Sequence, residues 1–274
     1  MAQIINTNIP SLNAQRNLNT SQDTLTSALQ RLSSGLRVNS SKDDAAGLAV
    51  AEKMNSQARG MTVAIRNGND GLSLAQTAEA GMNVVGEHLQ RMRDLAVQAA
   101  SGQYDEANRS ALNTEYQQLK SEINRVVSAT NFNQKGLLDG TFSGGVTFQV
   151  GATTTGESKI DISIAKVDTA ALSAVLSGST GADSLSAISQ IDDMITTLNT
   201  NRAALGAVQN RFKGVLDQLA AAHENTEAAR SRIMDADYAA ETAKLSRSQV
   251  LQQAGVAMLS QANAMPQNVL SLLR

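Results

Sequence analysis

Leucines spaced by seven, four, three and four residues mark the first predicted helix and form one narrow stripe between polar positions. Steps of three and four are typical of a coiled-coil seam, so this helix needs a partner to cover its apolar side. Pro10 suits a first helical turn, and Asn8 is the expected N-cap. The stripe consists of Leu18, Leu25, Leu29, Leu32 and Leu36.

A second pattern of three- and four-residue steps runs from Met54 to Leu95. It predicts a helix of about 45 to 55 residues, far above the usual length of about 11 to 12. A third helix, with apolar positions from Leu112 to Val126, follows and completes a helical hairpin. Close packing of neighbours is the expected reason for the glycines inside the long helix, which are Gly60, Gly68, Gly71, Gly81 and Gly86.

Two short runs then alternate between apolar and polar residues and predict a β-hairpin at about residues 138–176. A fourth helix carries apolar residues from Ile188 to Leu219 at similar three and four steps, so we expect it to lie along the second and third helices. The alternating residues are Val146, Phe148 and Val150 in the first run and Ile160, Ile162 and Ile164 in the second.

The last predicted helix also carries an apolar stripe and so mirrors the first helix. The two ends are expected to pair, but about a dozen apolar side chains barely offset the ordering of both segments, so further copies of the protein must supply more burial. The predicted fold class is mainly α: a long antiparallel helical bundle with a small β-hairpin region, plus a terminal two-helix coiled coil. The final stripe consists of Leu251, Met258, Met265, Val269, Leu272 and Leu273.

Residues 32–50, LSSGLRVNSSKDDAAGLAV, separate the first two helices and invite comparison with a phosphate-binding loop. A Walker loop needs a glycine directly before its lysine, and Lys42 follows a serine, so this interpretation is rejected. Instead, Gly35 is expected to end one helix, and Asp43 or Asp44 to cap the next. The predicted joint residues, two of them on the return chain, are Gly35, Asn39, Lys42, Asp43, Asp44, Asp235 and Asp237.

These joints divide the chain into two predicted domains. The terminal-helix domain is discontinuous and takes residues 1–36 and 238–274. The helical-bundle domain takes residues 44–233. The joints between them are residues 37–43 and 234–237, where short polar segments interrupt the helical pattern.

The amino-acid composition argues against several classes of function. Aromatic residues make up 3% of the 274 residues and the formal charge is −2, which supplies neither the aromatic surface of an enzyme pocket nor the basic stripe that nucleic acid requires. There is no cysteine, no apolar run of about 18 residues for membrane insertion, and no signal-peptide pattern at the N-terminus. The acidic pairs, His88 and His223 complete no ligand or catalytic set, so we predict no catalytic residue, cofactor or metal.

Long and specific motifs follow one another along essentially the whole chain. They are INTN at 5–8, RLSSGLRVNSSKDDAAGLA at 31–49, NDGLSLAQTAE at 69–79, LQRMRDLAVQ at 89–98, TNFNQKGLLDG at 130–140, FQVGA at 148–152, LGAVQNR at 205–211, ARSRIMDADYAAE at 229–241 and QANAMPQNVLSLLR at 261–274. In these motifs and in their order, the chain resembles bacterial flagellin.

This resemblance implies a secreted, self-assembling subunit of the bacterial flagellar filament, exported unfolded through the flagellar type III apparatus. The implied partners are further copies of the chain, the filament cap protein, the hook-filament junction protein and an export chaperone. In the family the terminal helices form an inner tube layer and the middle helices a surrounding layer. Only a short turn stands where longer flagellins carry variable outer domains, so a short form is expected. A hook-filament junction protein is the alternative.

The resemblance also implies recognition by a vertebrate Toll-like innate receptor. The receptor surface of many flagellins includes the helix that matches LQRMRDLAVQ and a glutamate on the next helix. Arg91, Leu95 and Glu115 occupy the matching positions in this chain, whereas Asp94 replaces the usual glutamate. These three residues are the predicted receptor contacts.

Overall fold

A computed structural model of the chain describes residues 7–153, 156–177 and 182–271, in which long helices dominate and two small hairpins follow the third helix. Within those residues the helices are α1 (Ile9–Ser34), α2 (Ala45–Ala100), α3 (Glu106–Ala129), α4 (Ala182–Met234) and α5 (Tyr238–Ser271). The strands are β1 (Asn131–Phe132), β2 (Lys135–Gly136), β3 (Val146–Gln149) and β4 (Lys159–Ile162).

The chain divides into two compact units, one formed by Met1–Gln57 with Asn225–Arg274 and the other by Ala58–Glu224. These bounds lie inside the predicted bundle domain of residues 44–233. The reason is local packing: Ala51 at the start of α2 and Met234 at the end of α4 are buried in one small cluster with Val38. The first unit therefore includes one end of each long helix as well as the terminal helices.

In the second unit, α2 and α3 are antiparallel, as the predicted helical hairpin requires. Arg91 pairs with Glu115, and two turns further along α2 the carbonyl oxygen of Ala99 accepts a hydrogen bond of 3.0 Å from Nε of Arg109. The side chain of Asp105 accepts a hydrogen bond from the backbone N–H of Asn108 and so caps α3. A cap of this kind satisfies one of the free N–H groups at a helix start.

Helix α4 also runs antiparallel to α2. Arg93 of α2 pairs with Asp192 near the start of α4, and Glu79 accepts a hydrogen bond from Gln209 further along α4. Packing of α2, α3 and α4 buries apolar residues that recur at three and four steps, as the sequence predicts. Fully buried members of this shared core include Met82, Leu89, Met92, Ile123, Ile191 and Phe212.

Glycines of α2 mark the places where neighbouring side chains press against the helix. A Cβ atom at Gly71 would lie 2.7 Å from Cζ of Phe212, closer than real contacts allow, and 3.2 Å from Cγ of Phe148, which is a tight contact. Gly60, Gly68 and Gly81 are equally crowded, which confirms the packing explanation for four of the five predicted positions. The prediction is wrong for Gly86, where the nearest atom of Leu198 is 3.4 Å away and alanine would fit.

The β-region contains the predicted hairpin and a second one that the sequence pattern missed. Strands β3 and β4 pair antiparallel, with Val146 opposite Ile162 and Phe148 opposite Ile160, so the alternating residues share one face. Phe148 also meets the ring of Phe212 edge to face at 5.9 Å. Strands β1 and β2 are joined by two residues with positive φ and have only two residues each, too few for an alternating pattern to register.

Adding a methyl group at Gly71 tests whether this packing is tight. We expect Gly71→Ala to lower the free energy of unfolding by about 1–3 kcal/mol, because the buried ring of Phe212 has no room to move away. Gly206 of α4 is the matched control, since no atom lies within 4 Å of a Cβ placed there. Gly206→Ala should stabilise the monomer by about 0.5–1 kcal/mol through helix propensity. Denaturant unfolding followed by circular dichroism measures both, and equal effects would contradict the packing argument.

Candidate assembly surface and joint

Helices α1 and α5 of the first unit pack antiparallel along a seam of heptad-spaced residues. At one end, Nδ2 of Asn8 donates to the carbonyl oxygen of Ala262 at 2.8 Å, and at the other end Arg31 pairs with Glu241 at 3.1 Å. The buried and half-buried seam residues are Ser11, Ala14, Leu18, Ser21, Leu25, Ala28 and Leu32 on α1, and Glu241, Leu245, Ser248, Gln252, Gly255, Leu259 and Ala262 on α5.

Small residues in this seam allow the two helices to approach closely. A Cβ atom at Gly255 would lie 3.2 Å from Cδ1 of Leu18, and Oγ of Ser11 donates to Oδ1 of Asn263 at 2.7 Å. Fewer than half of the seam positions carry a large apolar side chain. The pairing therefore buries little apolar area for its length, and apolar burial is the main favourable term in helix association.

The predicted leucine stripe of α1 lies mostly at or beside the seam. Leu18, Leu25 and Leu32 are half-buried seam residues, and Leu36 is half-buried just beyond the helix end. Leu29 is different, because 48% of its surface is exposed. The stripe therefore contributes to both the α1–α5 pairing and the outside of the pair.

On α5 the predicted stripe does not face α1. Leu251, Met258 and Met265 are 50%, 67% and 55% exposed, and the residues that meet α1 are a different set. The spacing of large apolar residues does not reveal that set, because its members are largely small or polar. Its signal was the recurrence of Leu245 and Leu259 in a heptad register. Val269 lies where no side chain is described, and Leu272 and Leu273 lie outside the described residues.

We call the set of exposed apolar residues on the paired helices the outer apolar face. Each of its members keeps between 48% and 67% of its surface in contact with water. Scattered exposed apolar residues are normal, but Leu251, Met258 and Met265 recur every seven residues and so share one side of α5, and an exposed apolar stripe of this kind marks an interaction surface. The outer apolar face consists of Ile9, Leu12 and Leu29 on α1, and Val250, Leu251, Val256, Met258 and Met265 on α5.

A buried carboxylate holds the two helices together near the joint. Glu241 is 4% exposed, and it pairs with Arg31 of α1 at 3.1 Å and with Lys244 of α5 at 2.9 Å. Burial raises the pKa of Glu241, but the hydrogen bonds and charges of Lys244 and Arg31 outweigh burial, so the pKa lies below its usual range. The carboxylate also lies in the first turn of α5, where the helix dipole favours negative charge.

The predicted joint is a backbone clamp. Gly35 ends α1 in the left-handed conformation with φ of 71°, where a glycine avoids the steric cost of a side chain. Its carbonyl oxygen accepts a hydrogen bond from Ala236, and the N–H of Arg37 donates to the carbonyl oxygen of Met234. Leu36 and Asp235 thus form an antiparallel bridge between the outgoing and returning chains.

The joint aspartates have distinct roles. Asp43 accepts hydrogen bonds from the backbone N–H groups of Asn39 and Ser40, which lower its pKa, so it closes the loop. Asp44 is the residue that caps α2, through the N–H of Gly47 at 2.8 Å. Asp237 caps α5 in the same way. In the same joint, Oδ2 of Asp235 accepts a hydrogen bond of 2.6 Å from Ser231, and Lys42 is exposed.

The predicted receptor residues separate into an exposed pair and a core residue. Arg91 and Glu115 form an ion pair of 2.7 Å between α2 and α3, and about half of each side chain is exposed. Leu95 is 1% exposed and packs within the core. In this conformation the side chain of Leu95 offers no surface to a partner, and its role as a receptor contact stays a prediction from the sequence.

The described residues hold no group of three or more side chains suited to a metal ion. Of the two histidines, His223 lies beside Thr62, with 3.3 Å between Nε2 and Oγ1. No helix in the described part of the chain has an apolar stretch long enough to cross a membrane.

The α1–α5 pairing should weaken in acid. The low pKa of Glu241 adds stability above the ordinary glutamate value of 4.5, and this stability is lost as the pH falls through the lower pKa of the folded protein. Glu241→Gln should therefore be less stable than the parent at pH 7, with the difference shrinking by pH 3. Denaturant midpoints across this range test the sign. Glu52→Gln, at an exposed position, is the control, and an undiminished difference at pH 3 would contradict the ion-pair role.

Comparison with known proteins places these features in one family. The family model of the bacterial flagellin N-terminal helical region matches residues 5–143. The family model of the bacterial flagellin C-terminal helical region matches residues 188–273. A flagellin of Halalkalibacterium halodurans is 46% identical over 274 residues, covering 99% of this chain and 100% of that protein.

Two further proteins agree with this result. The flagellar filament core protein flaB2 of Brachyspira hyodysenteriae is 40% identical over 286 residues, covering 99% of this chain and 100% of that protein. The crystal structure of Bacillus cereus flagellin has a TM-score of 0.50 at 30% identity and covers 56% of this chain and 88% of that one. The chain therefore belongs to the bacterial flagellin family, in a short form without the outer domains, and is a structural subunit of the extracellular flagellar filament and not an enzyme.

Proposed function

We propose that the outer apolar face is the surface through which subunits polymerise for motility. The observation that supports this most directly is the exposure of Leu251, Met258 and Met265, which stand seven residues apart on one side of α5. Burying side chains of this size is worth about 1.5–3 kcal/mol each. Contacts with neighbouring copies would supply the burial that the α1–α5 seam lacks.

In this proposal, residues 1–36 and 238–274 form the inner tube layer of the filament, and residues 44–233 form the surrounding layer. Contacts between different surfaces of successive subunits do not close on themselves, so they generate an open helical polymer. The joint residues connect the two layers in each subunit. The clamp between Leu36 and Asp235 is expected to hold the start of α5 beside the end of α1.

We further propose that the chain is exported unfolded through the flagellar type III apparatus with an export chaperone. It then polymerises beneath the filament cap protein, on a base that begins with the hook-filament junction protein. The sparse apolar burial of the α1–α5 seam supports this order of events, because weakly stabilised segments unfold and refold at low cost. The terminal helices would become ordered last, when neighbouring subunits cover them.

Polar substitutions in the outer apolar face test the polymerisation proposal. The double variant Leu251→Gln with Met258→Gln should remain a folded monomer and lose polymerisation, because glutamine keeps helix propensity but does not gain from apolar burial. Seeded polymerisation followed by sedimentation and electron microscopy measures the effect. Leu185→Gln is the matched control, since Leu185 is 62% exposed but lies on α4. Filaments of normal yield from the double variant would contradict the proposal.

The alternative, a hook-filament junction protein, shares the terminal helices with a filament subunit. The two differ in copy number, because a junction protein is present in a few copies in each appendage and a filament subunit forms most of its mass. Quantitative mass spectrometry of purified appendages distinguishes them. A share of only a few copies would favour the junction protein.

We also propose that the monomer is recognised by a vertebrate Toll-like innate receptor through Arg91 and Glu115. The exposed ion pair between α2 and α3 supports this, since a fixed pair of charges offers a partner both a donor and an acceptor. Leu95 would act only from within, by supporting the surface on which the pair lies. Asp94, one methylene shorter than the usual glutamate, is exposed beside it.

Removing the arginine tests recognition by the receptor. Arg91→Ala should lower monomer activity in a receptor reporter assay by about tenfold, which corresponds to about 1.4 kcal/mol of binding free energy. Arg125→Ala is the matched control, because Arg125 forms a similar exposed pair with Glu122 on α3. Equal activity of the two variants would contradict the assignment. Circular dichroism confirms that each variant is folded.

A further inference from the structure

We propose that Met258 and Met265 form an oxidation site. Peroxide converts their thioethers to sulfoxides in the unassembled subunit and thereby blocks polymerisation. The second half of this inference rests on the proposed function, because it requires the outer apolar face to be the polymerising surface. The first half, the selectivity of oxidation, rests only on the exposure of the side chains.

Exposure separates the methionines of the chain into clear classes. Met258 and Met265 are 67% and 55% exposed, whereas Met82 and Met92 are fully buried in the core of the second unit. Two others are at most 8% exposed, and two on α2 are half-buried. The rate of thioether oxidation follows access of the oxidant to sulfur. Among the described methionines, the two of α5 are therefore expected to react fastest with an oxidant.

The chain has no cysteine to compete with methionine for an oxidant. Cysteine thiolates react with peroxides before thioethers do, and this chain contains no cysteine. Methionine therefore supplies all the sulfur that a peroxide can oxidise in this chain. The two exposed sulfurs are seven residues apart and in register with Leu251, so both lie in the same part of the outer apolar face.

The chemistry is a two-electron oxygen transfer. A lone pair of the methionine sulfur attacks one oxygen of hydrogen peroxide, the O–O bond breaks and an S–O bond forms. Water leaves with both hydrogen atoms of the peroxide, so no net proton is released. The sulfur is oxidised by two electrons and the peroxide is reduced to water. A methionine sulfoxide reductase with a dithiol reverses the step.

The product is polar where the unmodified side chain is apolar. A sulfoxide oxygen buried against apolar residues of a neighbouring copy loses its hydrogen bonds to water without gaining a donor, which is unfavourable. In an isolated subunit the same oxygen faces solvent, so the fold of the monomer is unaffected. Oxidation would therefore act on assembly and leave the folded subunit intact.

The selectivity is tested by treating the full-length monomer with hydrogen peroxide and measuring each methionine by peptide mass spectrometry. Met258 and Met265 should be oxidised at least about tenfold faster than Met82 and Met92, because access of the oxidant to sulfur controls the rate. Equal rates at the four positions would overturn the proposed site. This measurement does not depend on polymerisation.

The effect on assembly is tested by seeded polymerisation of treated and untreated protein. Treatment should raise the critical concentration about tenfold, and reductase with dithiothreitol should restore it. The variant with Met258→Leu and Met265→Leu, compared with its own untreated sample, should be insensitive to peroxide. The variant with Met54→Leu and Met61→Leu, which changes the half-buried methionines of α2, should remain as sensitive as the parent chain.

Two results would contradict this account in different ways. If the α5 variant lost polymerisation on treatment as fully as the parent, the claim that oxidation of Met258 and Met265 blocks assembly would be overturned. If the untreated parent failed to polymerise under all seeding conditions, the proposed function would be contradicted together with the assembly half of this inference. The rates of oxidation would still decide whether Met258 and Met265 are the reactive pair.

Discussion

The seam between α1 and α5 is the contact on which the behaviour of this subunit depends. It alternates a few leucines with serine, alanine, glycine and glutamine, so the helices approach closely while burying little apolar area. Larger apolar residues are left on the outside of the pair. Apolar burial stabilises a helix pair of this composition only weakly, so the pair gains most from association with further copies.

Charge and backbone geometry fix the register that weak apolar packing leaves free. Glu241 is buried between Arg31 and Lys244, and removing either cation would leave a poorly paired carboxylate. Beside it, the left-handed turn at Gly35 and the bridge at Leu36 hold the outgoing and returning chains together. Directional contacts of this kind specify one alignment of the helices, which non-directional apolar contacts do not.

Much of the fold follows from local signals in the sequence. Asn8 and Gly35 bound α1 as predicted, and three- and four-residue steps reveal helices as long as the 56 residues of α2. The inner side of α5 was missed because apolar residues occur on several of its sides, and only packing shows which side meets α1. The burial of Leu95 and the choice between Asp43 and Asp44 likewise depend on three-dimensional neighbours, which a linear motif does not contain.

In the proposed polymer, apolar residues that are exposed in the subunit become buried between subunits. A helical reconstruction of the polymer at side-chain resolution tests this burial. We expect Leu251, Met258 and Met265 to lie against neighbouring copies, with most of their surface removed from water. A polymer in which these side chains line an open, solvent-filled surface, while the α1–α5 seam separates to make the contacts, would contradict it.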